Sequence, residues 1–268
     1  MTAQSGTTNL PSPTPLRTAF VGKGGAGKSA IVGTFARLLA RSEDQPVLVL
    51  DSDPMPGLAF SLGLGIDDAG IADDAVVERA EGEDGPRFRL RDGLSAEDAV
   101  HEYATVAPDG VRFLQIGNLR GPVSNIMRSQ HAFHQIKSEL PRDRWHVIGD
   151  LPGGTRQPFL GWAKFADSIV VVIEASAKGV LSGRRLAKLG GAVVDKDRLL
   201  ALISKARSPE EADEVGSRTG LRVIGSIPWD EEFAAAERNG LAPVDAAPDA
   251  PATREIQSLV HSLQGALA

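Results

Sequence analysis

A three-layer α/β domain built on a doubly wound, mostly parallel sheet is the fold this chain predicts for residues 16–268. Three observations carry the prediction. Short continuous apolar runs recur along the chain, as expected of strands buried on both faces. Amphipathic stretches at helical spacing lie between them. The length, 268 residues with 42% hydrophobic and 24% charged side chains, is ample for one large core. Strand–helix alternation on this scale winds a parallel sheet through right-handed crossovers.

The elements follow in order. Residues 1–15, rich in Ser and Thr and holding Pro11, Pro13 and Pro15, predict a disordered leader. Ala19-Phe20-Val21 ends a first strand, and Lys28 to Leu39 has helical spacing through Ile31, Phe35, Leu38 and Leu39. Val47–Leu50 is a second strand. Further strands are expected at Val111–Ile116, His146–Ile148, Ile169–Ile173, Leu199–Ile203 and Arg222–Ile227. Helices are expected at Asn125–Leu140, Val180–Leu189, Glu210–Thr219 and Glu231–Arg238, with a closing helix at Thr253–Leu267 after a loop marked by Pro243, Pro248 and Pro251. One segment stands apart. Residues 66–109 hold 13 Asp and Glu against 4 Arg, a charge of −9, which leaves +3 for the rest of a chain whose net charge is −6. A solvated helical insertion is the expectation there, and an acidic surface for a basic partner or a divalent metal is the alternative.

Composition excludes several classes. The chain has no cysteine, so disulfides and thiolate metal sites built from it alone are ruled out. No run of 18 apolar residues is present, and the first 17 residues lack the apolar stretch of a secretory signal. A cytoplasmic protein without a membrane anchor is the expectation. The acidic balance weighs against general nucleic-acid binding.

The chemistry begins at Gly22-Lys23-Gly24-Gly25-Ala26-Gly27-Lys28-Ser29, which matches G-x-x-x-x-G-K-[ST] between a strand and a helix. Glycines there let backbone N–H groups turn inward onto phosphate oxygens, and the helix N-terminus adds a favourable dipole. Lys28 would reach the β- and γ-phosphates, and Ser29 would ligate Mg²⁺. Asp51-Ser52-Asp53-Pro54 leaves the second strand at the edge where such sheets bind ligands. One carboxylate of that pair can hold Mg²⁺ through water while the other orients an attacking water. His146 to Gly154 is a strand ending in Asp-x-x-Gly-Gly. There Asp150 suits the water shell of Mg²⁺, and Gly153 or Gly154 can offer an N–H to a γ-phosphate and sense its loss.

The second lysine, Lys23, makes the loop the deviant form K-G-G-x-G-K-[ST], and with it the chain resembles the MinD/ParA family of P-loop ATPases. Three further stretches are similar to its CooC-type members, which serve carbon monoxide dehydrogenase maturation. They are Asp51-Ser52-Asp53-Pro54 with Leu58 and Leu62-Gly63; Val170 to Ser176 with Arg184 and Arg185; and Ile227-Pro228-Trp229-Asp230 with Glu237 to Leu241. The resemblance spans about residues 17–265. It implies an ATP- and Mg²⁺-dependent homodimer in which Lys23 reaches the partner's nucleotide, as an arginine finger does. It also implies that Asp53 positions water and that Asp51 and Asp150 serve the metal. Three departures matter. Ala30 stands where the family has a hydroxyl for the α-phosphate. Ser204, followed by Lys205, stands where it has an Asn that frames adenine, with Pro228, Trp229 and Asp230 expected near the base. Gly121-Pro122-Val123-Ser124-Asn125 stands where the nickel-insertion members carry C-x-C. His131 and His134, spaced i, i+3, offer an alternative metal pair across a symmetric dimer.

The leading expectation is an ATP-hydrolysing dimeric switch acting on a protein partner, such as a metalloenzyme under maturation or another assembly. The alternatives are an ATP-dependent ligase of the cobyrinic acid diamide synthase or dethiobiotin synthetase type, and a nucleotide-binding module without turnover.

Overall fold

The computed structural model describes residues 14–52, 57–66, 70–116, 123–153 and 157–265. An eight-stranded sheet forms its middle layer. Its strands are β1 (Arg17–Gly22), β2 (Val47–Asp51), β5 (Thr105–Val106), β6 (Arg112–Gln115), β7 (His146–Pro152), β8 (Ser168–Glu174), β9 (Leu199–Ala206) and β10 (Arg222–Pro228). They lie in the order β10-β9-β8-β1-β7-β2-β6-β5, and every pairing is parallel except that of β5 with β6. The strands expected from apolar runs are all present, and several extend beyond the runs at the end that carries polar residues.

Full burial on both faces explains the continuous apolar runs. In β1, Ala19 and Val21 join one hydrophobic cluster while Phe20 between them joins the other. In β2, Leu48 and Leu50 face the first cluster, and Val47 and Val49 the second. The period of two that strand geometry imposes thus divides each apolar run between two cores. The first core is covered by α3 (Ala96–Tyr103), α4 (Val123–Glu139), α5 (Ala177–Gly190) and α6 (Pro209–Thr219). The second is covered by α1 (Lys28–Ser42), the short α2 (Leu58–Ser61), α7 (Glu231–Arg238) and α9 (Pro251–Gly265), with α8 (Pro243–Ala246) packed on α1. Phe35 of α1 meets Phe20 edge-on with ring centres 5.5 Å apart. The apolar face of α9, carrying Ile256, Leu259, Val260 and Leu263, is buried in the second core and is not presented to a lipid surface.

The acidic segment differs from its expectation. Among its described residues only α3 and two short 3₁₀ turns are helical; β3 (Val76–Glu78) and β4 (Phe88–Leu90) form an antiparallel hairpin that packs on α4. Ile71, Val76, Phe88, Leu90 and Val100 are buried in the first core, so the segment is anchored rather than solvated throughout. Three-residue strands are too short for their alternation to be read against a helical pattern. Residues 1–13 of the expected leader lie outside the described residues, while Pro15 and Leu16 are buried.

A buried histidine ties this start to the sheet. His146 accepts a hydrogen bond at Nδ1 from the Leu16 N–H at 2.8 Å. Burial lowers its pKa from 6.5 to about 4. The folded state therefore stays neutral at His146 where the unfolded chain binds a proton, and stability falls as pH drops through that window. Between pH 7 and pH 5 this group is expected to cost about 1–2 kcal/mol, measured by urea denaturation. His146→Asn keeps an acceptor but does not titrate, so its pH slope should be shallower; an unchanged slope counts against the assignment.

Candidate functional site

The C-terminal ends of β1, β2, β7, β9 and β10 meet at one edge of the sheet, and the loop from Gly22 to Gly27 crosses it. Gly25 and Gly27 take φ of +86° and +77°, a left-handed region that disfavours side chains. Gly27 caps α1 without a side-chain hydrogen bond, and the first turn holds no acidic residue. The first-turn N–H groups of α1 are thus left for an incoming acceptor, at the positive end of the helix dipole. A cavity of about 520 Å³ opens over this turn, lined by the loop glycines, Lys23, Lys28, Ser29, Pro152, Gly153, Lys205 and Glu237.

Beneath the loop lies a buried polar cluster. Lys28 Nζ pairs with Asp150 Oδ1, and Ser29 Oγ donates to Asp150 Oδ2 at 2.7 Å. Lys28 and Asp150 are 8% and 1% exposed, so water screens the pair little. Register brings the second carboxylate alongside: Asp51 pairs with Asp150 across β2 and β7, and it too is buried. Ser52 holds that junction through its N–H and its hydroxyl, both donating to the Asp150 carbonyl at 3.1 Å. One hydroxyl and two carboxylates make a hard oxygen set of the kind Mg²⁺ takes. Asp53 and Gly154 lie outside the described residues. Gly153 is described, and a Cβ on it would sit 2.1 Å from the Gly22 carbonyl oxygen, so only glycine lets the exit of β7 close on the phosphate loop.

The adjoining hollow contains the other expected residues, with roles partly different from those expected. Ser204 Oγ donates to the Ala26 carbonyl at 2.8 Å and is buried, so its hydroxyl braces the loop rather than facing a ligand. Lys205, at φ +58°, donates from Nζ to the Gly25 carbonyl at 2.6 Å and lies 6.0 Å from the centre of the Trp229 ring. Trp229 is 47% exposed beside Pro228 and borders the hollow, an open apolar face suited to stacking. The Asp230 carboxylate caps α7 by accepting from the Phe233 N–H at 3.0 Å and also reaches the Ala252 N–H, which occupies it structurally. The Ala30 side chain is fully buried in the second core, and only its backbone belongs to the loop turn. Glu237 was missed as a site residue: it lines both the cavity and the hollow, and its place in the Glu237-Arg238-Asn239-Gly240-Leu241 stretch was its only signal.

His131 and His134 are far from this cluster in the chain and share no lining with it. His131 packs on the Phe88 ring and His134 edge-on against Trp162. The 117–122 segment, including Gly121 and Pro122, lies outside the described residues, and α4 begins at Val123. Among the described residues no group of three or more metal-ligating side chains comes together.

Residues 18–244 match the family described as the CobQ/CobB/MinD/ParA nucleotide binding domain. The chain belongs to that family. Its similarity to the carbon monoxide dehydrogenase accessory protein CooC of Rhodospirillum rubrum is 26% identity over 265 residues, covering 94% of this chain and 96% of that one. An uncharacterised ATP-binding protein of Methanocaldococcus jannaschii is 26% identical over 258 residues, covering 92% and 96%. Among solved structures, a ParA family ATPase from Chlorobium tepidum matches with a TM-score of 0.71 at 17% identity, covering 91% of this chain and 98% of that one. The septum site-determining protein MinD of Pyrococcus horikoshii, complexed with Mg-ADP, matches with a TM-score of 0.68 at 18% identity, covering 94% and 99%. The MinD/ParA fold is thereby shared. In this family member the two glycines of the loop region are distinguishable by experiment. Gly153→Ala should destabilise the protein by about 3 kcal/mol or more and abolish nucleotide binding, because the new methyl meets backbone that cannot yield. Gly24→Ala meets nothing within 4 Å and should fold normally in a denaturant titration. Equal stability of the two variants would contradict the close approach.

Proposed function

We propose that this MinD/ParA-family protein is an ATP-hydrolysing switch that dimerises around Mg²⁺-bound ATP and changes its hold on a protein partner, such as a metalloenzyme or another assembly. The observation that carries the reading is the buried Lys28–Ser29–Asp150 cluster directly under an α1 N-terminus whose first-turn donors are free. A triphosphate entering the cavity would compete with Asp150 for Lys28, and the released carboxylate and the Ser29 hydroxyl would turn to the metal. Mg²⁺ would be held by Ser29, with Asp51 and Asp150 acting on it directly or through water, and when bound it supplies charge neutralisation on the β- and γ-phosphate oxygens.

This chain's residues divide the remaining work. Gly24, Gly25, Ala26, Gly27 and Ala30 offer backbone N–H groups to the phosphates. Lys28 neutralises charge as it develops on the transferring group. Water adds in line to the γ-phosphorus while the bond to the β–γ bridging oxygen breaks, and Asp53 orients that water. Gly153 and Gly154 report the γ-phosphate through backbone contact. Pro228 and Trp229 bound the base, with Ser204, Lys205 and Asp230 holding the walls in place. Lys23 supports the dimeric part of the reading. It is exposed at the cavity mouth, and among the described residues its ammonium makes no hydrogen bond or ion pair, as a residue meant for a second copy would. No described helix is long and apolar enough to cross a membrane. A cytoplasmic site of action with a protein rather than a nucleic acid as partner completes the proposal.

The test is phosphate release by the purified protein with Mg²⁺ and ATP and no organic co-substrate. Specific activity should rise with protein concentration. Lys23→Ala should keep ATP binding and lose at least about 100-fold in release, as removal of a cation supplied in trans does. Asp53→Ala should hold ATP without turnover and trap the dimer. Release unaffected by Lys23→Ala and independent of concentration would overturn the dimeric switch, and release only with an added organic acid would favour a ligase.

A further inference from the structure

On the other side of the sheet a second cavity, of about 360 Å³, lies between the β3–β4 hairpin, the C-terminal half of α4 and the connection that leads into β8. It shares no lining residue with the phosphate-loop cavity. Its walls carry Arg79, Arg89, Lys137, Arg142 and Lys164, and Glu139 is the one carboxylate among the described lining residues. Glu139 is itself engaged by the Gln135 amide at 3.1 Å. This concentration of positive charge stands out in a chain of net charge −6, and Arg79 and Arg89 come from the segment whose own charge is −9.

The cations here are unequally neutralised. Arg89 is paired with Asp92 and Arg142 with Asp167, while Arg79 stands 4.0 Å from Glu83. Asp92, Asp167 and Glu83 do not line the cavity. Lys137 is different. It is 3% exposed, donates from Nζ to the Trp162 carbonyl at 2.8 Å and lies 4.9 Å from the centre of the Trp162 ring. Among the described residues no carboxylate pairs with it, and burial together with the nearby Lys164 lowers its pKa to about 7. Lys164 makes no ion pair among the described residues. Among the described residues this buried amine has a carbonyl, an aromatic face and a second cation as neighbours but no counter-ion, and a cavity opens beside it. His131 and His134 line the same space. Burial, then Lys137 and His131, lowers the His134 pKa to about 4, so the imidazole is neutral near pH 7. Two lysines on the walls of the same cavity oppose a metal cation at the histidine pair and favour an anion.

We propose that this cavity binds a small polyvalent oxyanion, with Lys137 and Lys164 as its direct cationic partners, His131 and His134 donating N–H groups, and the Arg79 and Arg142 guanidiniums, which also hold the Pro86 and Phe165 carbonyls, adding positive charge at the wall. Phe88 and Phe165 bound the space and leave room for an apolar portion of the ligand. Ammonium and guanidinium groups both pair with phosphate and carboxylate oxygens, which fixes the shared chemistry of the ligand. The site is independent of nucleotide binding at the phosphate loop.

The probe is inorganic pyrophosphate, titrated into the full chain and followed through the imidazole resonances of His131 and His134, with exposed His261 as the reference. Saturable shifts at the first two are expected, with none at His261. Lys164→Glu, at an exposed position that tolerates the change, should weaken the interaction about tenfold or more. Arg142→Glu should act in the same direction. Citrate and pyrophosphate in parallel arms distinguish a carboxylate from a phosphate ligand. Silent imidazoles, shifts of equal affinity in Lys164→Glu, or tighter binding of Zn²⁺ than of either anion at His131 and His134 would overturn the proposal.

Discussion

Asp150 is the residue on which the nucleotide edge of this molecule converges. It stands at the end of β7, between β1 and β2, and it is held by Lys28 and Ser29 from the first turn of α1. The two central strands and the phosphate-loop helix are therefore joined at one buried carboxylate. Desolvation makes such a group costly unless its oxygens are satisfied, and here both are. Because α1 begins immediately after the loop glycines, satisfying Asp150 also sets where the loop lies. The arrangement is strong enough to order the site and open to exchange, since a phosphate offers Lys28 an equivalent partner.

The second layer of support comes from backbone acceptors. Ser204 and Lys205 leave β9 and bind the carbonyls of Ala26 and Gly25, which steadies a loop rich in glycine from outside. Lys205 accepts a left-handed backbone to do so. The departures from the family pattern at positions 30 and 204 thus have local explanations. Alanine fills core space on α1, and the serine hydroxyl donates to the Ala26 carbonyl. On the opposite layer the acidic segment gives up its charge to the surface and its apolar residues to the core, and through Arg79 and Arg89 it contributes to a basic cavity instead.

Much of this was legible from residue order. The run Val47–Leu50 ending in Asp51 and the run from His146 ending in Asp150 announce buried strands with carboxylates at their exits, because a strand buried on both faces tolerates charge only at its end. The glycine pattern from Gly22 to Gly27 announces a phosphate loop for reasons of backbone geometry. Legibility fails where a residue's partner is distant. Asp230 lines the hollow beside Trp229, yet nothing in Ile227-Pro228-Trp229-Asp230 shows that its carboxylate caps α7 and reaches Ala252. Glu237 carries no periodic or motif signal strong enough to place it at the cavity. The hairpin of β3 and β4 is hidden by its brevity and by the charges around it.

The sequence by itself determined the layered α/β architecture, the phosphate loop and the family, because these depend on local spacing and on backbone conformations that few residues adopt. Tertiary structure alone decided which polar side chains spend themselves on structure and which remain for a ligand. It closed Ser204 and Asp230 onto backbone groups, left Lys23 outward, and gathered Arg79, Lys137, Arg142 and Lys164 from three separate stretches around one cavity. Charge summed along the chain cannot reveal such a gathering, since Coulomb interactions depend on distance in space and on the burial that the finished fold imposes.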